Sequence, residues 1–238
     1  MNEKWLDRVR PIYKDEGINK LKNSRVVIMG LGGVGSAAAE AICRSGVGNI
    51  LIVDNDEIDV TNINRQLIAT SGNIGNSKAE ETEKRLHSIN PECNIIVSKE
   101  FYLPENSDFV FDFKPDYIID AIDTVTAKLH LIKTCKEMNI PIITCLGTGN
   151  RIDPSKLILG DIKDTAGSGC PFARVMRREL KKRDITSQKV VFSTELPYNE
   201  TTGDSEHGRH SPCSTAFVPP AAGFLLASAV VRDLLDNL

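Results

Sequence analysis

Along the first 150 positions, short runs of consecutive apolar, often β-branched residues alternate with longer stretches in which apolar residues recur every three or four. The runs at 25–29, 49–53, 94–98, 117–119 and 141–145 read as strands, and 33–45, 77–89 and 124–138 as helices between them. Asn23-Ser24 punctuates the entry to the first run, and Asn90-Pro91 stops the helix before the third. Connections long enough to hold a helix are what parallel pairing requires. The pattern therefore predicts an α/β fold with a doubly wound, mostly parallel, Rossmann-like sheet. Beyond Gly149 the rhythm changes to a strand-like run at 156–160, a Gly/Ser turn at 166–169, a basic helix, a strand at 189–193 and a polar stretch from Glu195 to Ser211. We read one domain over 1–238, with a core over 1–150 and a substrate-facing extension over 151–238 that carries a mobile surface loop at 195–212. The most apolar tract, Ala216–Val231, is broken by Pro219-Pro220 and falls short of the roughly 20 residues of a bilayer span, so it reads as a buried C-terminal helix.

Composition adjusts this picture in two places. The 238 residues are 41% hydrophobic, enough to bury a core, and the net charge of −3 predicts no polyanion binding by the chain as a whole. The charge is unevenly placed, however: Arg174, Arg177, Arg178, Lys181, Lys182, Arg183 and Lys189 stand against only Glu179 and Asp184 in one short segment. Six cysteines without a CxxC pair exclude a zinc ribbon and a thioredoxin-type motif and suit a reducing compartment. Met1-Asn-Glu-Lys-Trp5 has no apolar region of the signal-peptide kind, so a cytoplasmic protein with no membrane attachment is expected.

Candidate chemistry begins where the first strand ends. Gly30-Leu-Gly32-Gly33-Val-Gly35 lies between a buried strand and a helix, and Asp54 follows the second strand. Glycines there allow a tight turn and close approach of backbone to phosphate, and the helix N-terminus favours an anion. The motif alone does not separate NAD from ATP. The residues around it do: Asp54-Asn-Asp56, Thr61-Asn-Ile-Asn64-Arg65-Gln66, Lys78, and Asp120-Ala-Ile-Asp123 at the end of the fourth strand. Arg65 and Lys78 offer fixed positive charge to a triphosphate, and Asp123 an oxygen ligand to Mg²⁺. That set favours phosphate chemistry with a metal over hydride transfer by a nicotinamide enzyme, or over a set of surface salt bridges.

Together these motifs resemble the ubiquitin-activating-enzyme superfamily of adenylyltransferases over about residues 8–150. The resemblance implies adenylation of a carboxylate by MgATP, with Asp54 on the ribose, Asp56 and Asn64 near the reacting phosphate, Arg65 and Lys78 on phosphates, and Asp123 on Mg²⁺. It further implies a homodimer in which Arg8, or failing it Arg10, reaches the partner's site. The second half, with Thr148-Gly-Asn-Arg-Ile-Asp-Pro154, Pro171-Phe-Ala-Arg174, Val191-Phe-Ser-Thr-Glu195 and Phe217-Val-Pro-Pro-Ala-Ala-Gly223, is similar to the tRNA threonylcarbamoyladenosine dehydratases. These enzymes cyclise N6-threonylcarbamoyladenosine at position 37 of tRNA, which makes the basic helix (Arg174, Arg177, Arg178, Lys181, Lys182, Arg183) a candidate tRNA surface. Cys170-Pro-Phe-Ala-Arg174 and Ser211-Pro-Cys213-Ser-Thr depart from the usual family patterns, which leaves a role for Cys213 as a loop thiol open beside that of an incidental cysteine. His207 and His210 read as loop polar residues. The alternative is an adenylyltransferase for the C-terminus of a ubiquitin-like sulfur-carrier protein, against which the missing CxxC pairs count; a non-catalytic scaffold would not need Arg65, Lys78 and Asp123. A cysteine desulfurase or related sulfur-acceptor protein is a further partner that the resemblance brings in and the residues neither require nor exclude.

Overall fold

The computed structural model describes residues 3–198 and 212–236. Seven strands form one sheet: β1 (Arg25–Met29), β2 (Asn49–Val53), β3 (Asn94–Ser98), β4 (Tyr117–Asp120), β5 (Ile142–Cys145), β6 (Leu157–Asp161) and β7 (Lys189–Ser193). Their spatial order is β3-β2-β1-β4-β5-β7-β6, all parallel except β6, which runs antiparallel to β7. The helices are α1 (Arg10–Asn23), α2 (Gly35–Arg44), α3 (Lys78–Ile89), α4 (Asp108–Asp112), α5 (Val125–Glu137), α6 (Pro171–Lys181) and α7 (Val218–Leu235). Every expected strand is present within one residue of its predicted bounds. The extension expected from 151 onward adds β6 and β7 to the same sheet.

The unbroken apolar runs are explained by burial on both faces. Val26 and Ile28 of β1, with Ile50 and Ile52 of β2, enter a core layer shared with α2, α3 and α7. Val27 and Met29, with Leu51 and Val53, enter a second layer shared with α5 and α6. Successive strand residues point to opposite faces, so a strand covered twice has no polar phase.

Three elements differ from the sequence reading, the first being the five-residue α4, a helix where none was expected. α1 was not anticipated, because its sequence is polar, only Gly17, Ile18 and Leu21 are buried, and Lys14 interrupts it at φ 59°. Pro219 and Pro220 do not break the last helix but open it, in its first turn, where a missing N–H costs nothing. By length and composition α7 could cross a membrane; here it is packed on α2, with Gly223 so close that an added Cβ would lie 2.2 Å from the Val34 carbonyl oxygen. It is a core helix. Most of the expected mobile loop, including His207 and His210, lies outside the described residues.

The strand order reverses direction between β1 and β4, since β1 leads to β2 on one side and the chain later returns to β4 on the other. Ligands of open α/β sheets bind at such a switch point, beyond the carboxyl ends of the strands. Gly30, Asp54 and Asp120–Asp123 all lie at that edge.

Candidate active site

The turn after β1 is shaped by contacts that no side chain could share. Gly30 has φ +85°, and a Cβ there would meet the Ala121 carbonyl oxygen at 2.9 Å; one on Gly35 would fall 1.7 Å from the Gly30 carbonyl oxygen. The chain thus folds back on itself and into α2, whose N-terminus receives no side-chain cap from Val34. The Ser36 N–H is already held by the Gly32 carbonyl, so the helix dipole and the N–H groups of the glycine turn ahead of it are what make an anion cradle. Gly32 faces open space, its nearest neighbour for an added Cβ being Gln66 Nε2 at 4.0 Å, while Gly33 packs against Arg65 and Pro219.

Asp54 ties the second strand to this turn. Its carboxylate accepts from the Leu31 N–H at 2.6 Å and the Asp56 N–H at 2.9 Å. Burial pushes its pKa above the ordinary carboxylate value, and the two backbone donors oppose that shift. Each oxygen retains acceptor capacity for a ribose hydroxyl.

Lys78 opens α3 and is buried, its Nζ 2.7 Å from the exposed Asp56 carboxylate and its N–H donating to the Asp56 carbonyl. An incoming phosphate would compete with an exposed carboxylate for a lysine already in place. Arg65 is half-buried; its Nη1 donates to the Thr61 carbonyl and to Asn64 Oδ1, both at 2.8 Å, and burial lowers its pKa from the usual arginine value. Asn64 in turn donates to the Ser214 carbonyl at 3.0 Å. Gln66 is buried beside Gly32, and among the described residues its Oε1 has no partner, leaving an acceptor that a ligand's hydroxyl or amino group could meet. Asp123 is exposed after β4, contacted by the Thr124 hydroxyl at 3.3 Å. One carboxylate beside a phosphate cradle fits Mg²⁺, which binds through one or two carboxylates and the substrate's phosphates; among the described residues no cluster of three acidic, His or Cys side chains forms a protein cage for a metal.

Pairwise contacts and the β1–β4 pairing thus link the expected cofactor-binding residues Gly30, Gly32, Gly33, Gly35, Asp54, Asp56, Asn64, Arg65, Gln66 and Lys78 at one end of the sheet, and Asp123 follows two residues after Ala121, which backs Gly30. Arg8 is not among them. It lies exposed two residues after Leu6, whose side chain sits against Gly46 beyond the far end of α2. The ten residues of α2, about 15 Å of helix, separate that contact from the glycine turn of the same chain. Arg10 is paired with Asp15 and Asp7.

Sequence reasoning passed over two buried cations. Lys128 is fully buried against Asp120, and Arg151 donates to the carbonyls of Gly147, Gly149 and Glu195. The first had a signal: Lys128, Leu131, Ile132 and Cys135 fall on one buried stripe of α5. Also unread was the path of residues 212–215. The Cys213 carbonyl accepts from the Asn150 N–H, the Ser214 carbonyl from Asn64, and the Thr215 hydroxyl donates to the Arg151 carbonyl. This strap joins the nucleotide crevice to the loop after β5 and leaves Cys213 half-buried.

The basic helix is less uniform than its sequence. Arg177 is half-buried and donates to the Thr165 carbonyl and hydroxyl, so its charge anchors the preceding turn. Arg178, Lys182 and Arg183 gather around Glu179, whose carboxyl is drawn down to about 2, chiefly by hydrogen bonds from Lys182 and Arg183. Lys189 pairs with Asp233. Arg174 and Lys181 are exposed and carry no ion pair with a described residue.

Fold and crevice together define the class: an α/β nucleotide-binding protein with cations set around a phosphate cradle. The ThiF family profile matches residues 6–236, and the chain belongs to that family. It is 42% identical over 234 residues to the tRNA threonylcarbamoyladenosine dehydratase of Bacillus subtilis strain 168, covering 94% of this chain and 91% of the relative. The enzyme of the same name from Escherichia coli K12 is 33% identical, with 99% and 96% covered. The crystal structure of E. coli tRNA N6-threonylcarbamoyladenosine dehydratase, TcdA, in complex with ATP superposes with a TM-score of 0.89 at 30% identity, over 99% of this chain and 95% of that one.

Proposed function

We propose that this protein is an ATP-dependent tRNA threonylcarbamoyladenosine dehydratase: it adenylates the threonyl carboxylate of N6-threonylcarbamoyladenosine at position 37 of tRNA, and a nucleophile within the same side chain then closes the ring and expels AMP. The relatives' names and the ATP-bound relative support the reading across nearly the whole chain. The observation in this chain that carries it is the buried Lys78, held by Asp56 at the rim of the glycine cradle.

In the first step a carboxylate oxygen bonds to the α-phosphorus, and the bond to the β-phosphate oxygen breaks with its electron pair leaving on pyrophosphate. Backbone N–H groups at the start of α2, with Lys78 and Arg65, hold the phosphates and offset the charge that develops on the leaving group. Asp54 fixes the ribose, and Asn64, tied to Ser214, borders the reacting phosphate. Asp123 would hold Mg²⁺ beside the phosphates, where the metal would supply further charge neutralisation. In the second step the substrate's own nucleophile attacks the acyl carbon and AMP departs, with net loss of one water. An oriented intramolecular nucleophile needs no protein thiol. Exposed Arg174 and Lys181, seven residues apart on one face of α6, would meet the tRNA backbone. The distance of Arg8 from its own cradle supports a two-fold homodimer in which that arginine serves the partner's ATP. A tRNA substrate supports the cytoplasm as the working compartment.

The test is nucleoside analysis of tRNA incubated with MgATP and the protein. Loss of one water mass from the threonylcarbamoyl nucleoside, abolished by Asp123→Ala, is expected. Unaltered nucleoside with the intact protein would overturn the assignment.

A further inference from the structure

The turn that carries Asp123 rests on a fully buried ion pair. Lys128 Nζ donates to Asp120 Oδ1 at 2.8 Å and to the Asp120 carbonyl at 3.3 Å, and both side chains have no solvent exposure. Asp120 Oδ1 also accepts from the Ile122 N–H at 3.2 Å, and the Lys128 N–H donates to the Thr124 carbonyl at 3.1 Å. One lysine therefore ties the last residue of β4 to the first turn of α5 and fixes the path of residues 120–124 between them. The same path sets the Ala121 carbonyl beneath Gly30, and the Ala121 N–H holds the Met29 carbonyl at 2.9 Å.

Such a pair is a poor source of stability. Desolvating both ions is costly, and apolar residues of similar volume are commonly as stable or more so. Nor is this one fully satisfied by close hydrogen bonds among the described residues: beyond Lys128 and the Ile122 N–H, Asp120 has only the neighbouring Thr144 hydroxyl to draw on. What a lysine provides here that a methionine would not is a directional donor to two oxygens of one residue, which sets the turn's geometry.

We propose that Lys128 is a positioning residue for the nucleotide-bound metal: its clamp on Asp120 orients the 120–124 turn so that Asp123 meets the metal, while Ala121 is held behind the glycine turn by its own bond to the Met29 carbonyl. The inference rests on the adenylation reading for the role of Asp123. Lys128 touches neither nucleotide nor metal and acts through Asp120.

The test measures equilibrium affinity by calorimetry for a non-hydrolysable ATP analogue, with Mg²⁺ and without any divalent metal. It compares the parent protein, Lys128→Met, and the double variant Asp120→Leu/Lys128→Met, whose apolar pair preserves the core if the single variant does not fold. Outer-shell supports of a metal ligand change metal affinity by about 10–100-fold. The advantage of the Mg²⁺ complex over the metal-free analogue is expected to fall at least about tenfold in the variants, with metal-free affinity within about twofold of the parent. A folded double variant that keeps the parent's Mg²⁺ advantage, or one in which both affinities fall together, overturns the proposal. If the parent itself shows no Mg²⁺ advantage, the role of Asp123 falls and this inference with it, whereas loss of water mass from the nucleoside reports separately on the dehydratase reading.

Discussion

Gly32 and Gly35 belong to one motif, yet the structure assigns them different duties, and alanine at each position separates stability from binding. At Gly35 a Cβ would lie 1.7 Å from the Gly30 carbonyl oxygen and 2.8 Å from its carbon. Both are backbone atoms, so relief requires moving the turn by more than an ångström. Overpacking of this kind costs about 1–3 kcal/mol, and with rigid backbone on both sides the upper end applies. For a chain of this size about 3 kcal/mol corresponds to a melting temperature lower by roughly 6–12 °C. A displaced turn also misplaces the phosphate cradle, where an ångström is worth about 100-fold in rate. At Gly32 the nearest atom to an added Cβ is 4.0 Å away and φ is not left-handed. Alanine there leaves the fold within about 0.5 kcal/mol of the parent but places a methyl group in the space a phosphate would occupy, so ATP affinity falls. Thermal melting of the apoprotein and ATP titration of each variant check the pair. A Gly35→Ala protein that melts with the parent, or a Gly32→Ala protein that binds ATP as the parent does, refutes the geometry.

Charge reversal at Arg174 and Lys181 should weaken tRNA binding and lower the slope of log affinity against log salt by about two, one for each lost phosphate contact, with ATP affinity unchanged; Arg177→Glu should instead lower the melting temperature, because it breaks the ties to Thr165. Mixing inactive Arg8→Ala with inactive Asp123→Ala protein should restore activity through mixed dimers with one intact site, and a mixture as inactive as its components would refute service in trans. Cys213→Ala should cyclise the substrate at the parent's rate in the nucleoside assay, since only the backbone carbonyl of Cys213 takes part in the strap; accumulation of an uncyclised adenylate would show that the thiol acts.

The sequence determined this protein's strands and its sheet class and marked the candidate residues of its crevice, because each is written in local patterns. A strand buried on both faces must be apolar throughout, a tight phosphate turn favours glycine, and Thr61-Asn-Ile-Asn64-Arg65-Gln66 with Lys78 and Asp123 points to a triphosphate rather than a nicotinamide. Polar α1 escaped notice because it buries one narrow edge. Only the tertiary structure decided which charges are free. Seven cations on one segment are equivalent in sequence, but folding gives Arg177 to Thr165, Lys189 to Asp233 and three others to Glu179. Likewise, the buried stripe of α5 marks Lys128 as facing inward, but only β4 supplies Asp120 as its partner, and nothing local says that Leu6, seated against Gly46, holds Arg8 away from the crevice of its own chain. Partners distant in sequence are set by how layers stack, and pairing decides whether a charge anchors the fold or meets a ligand.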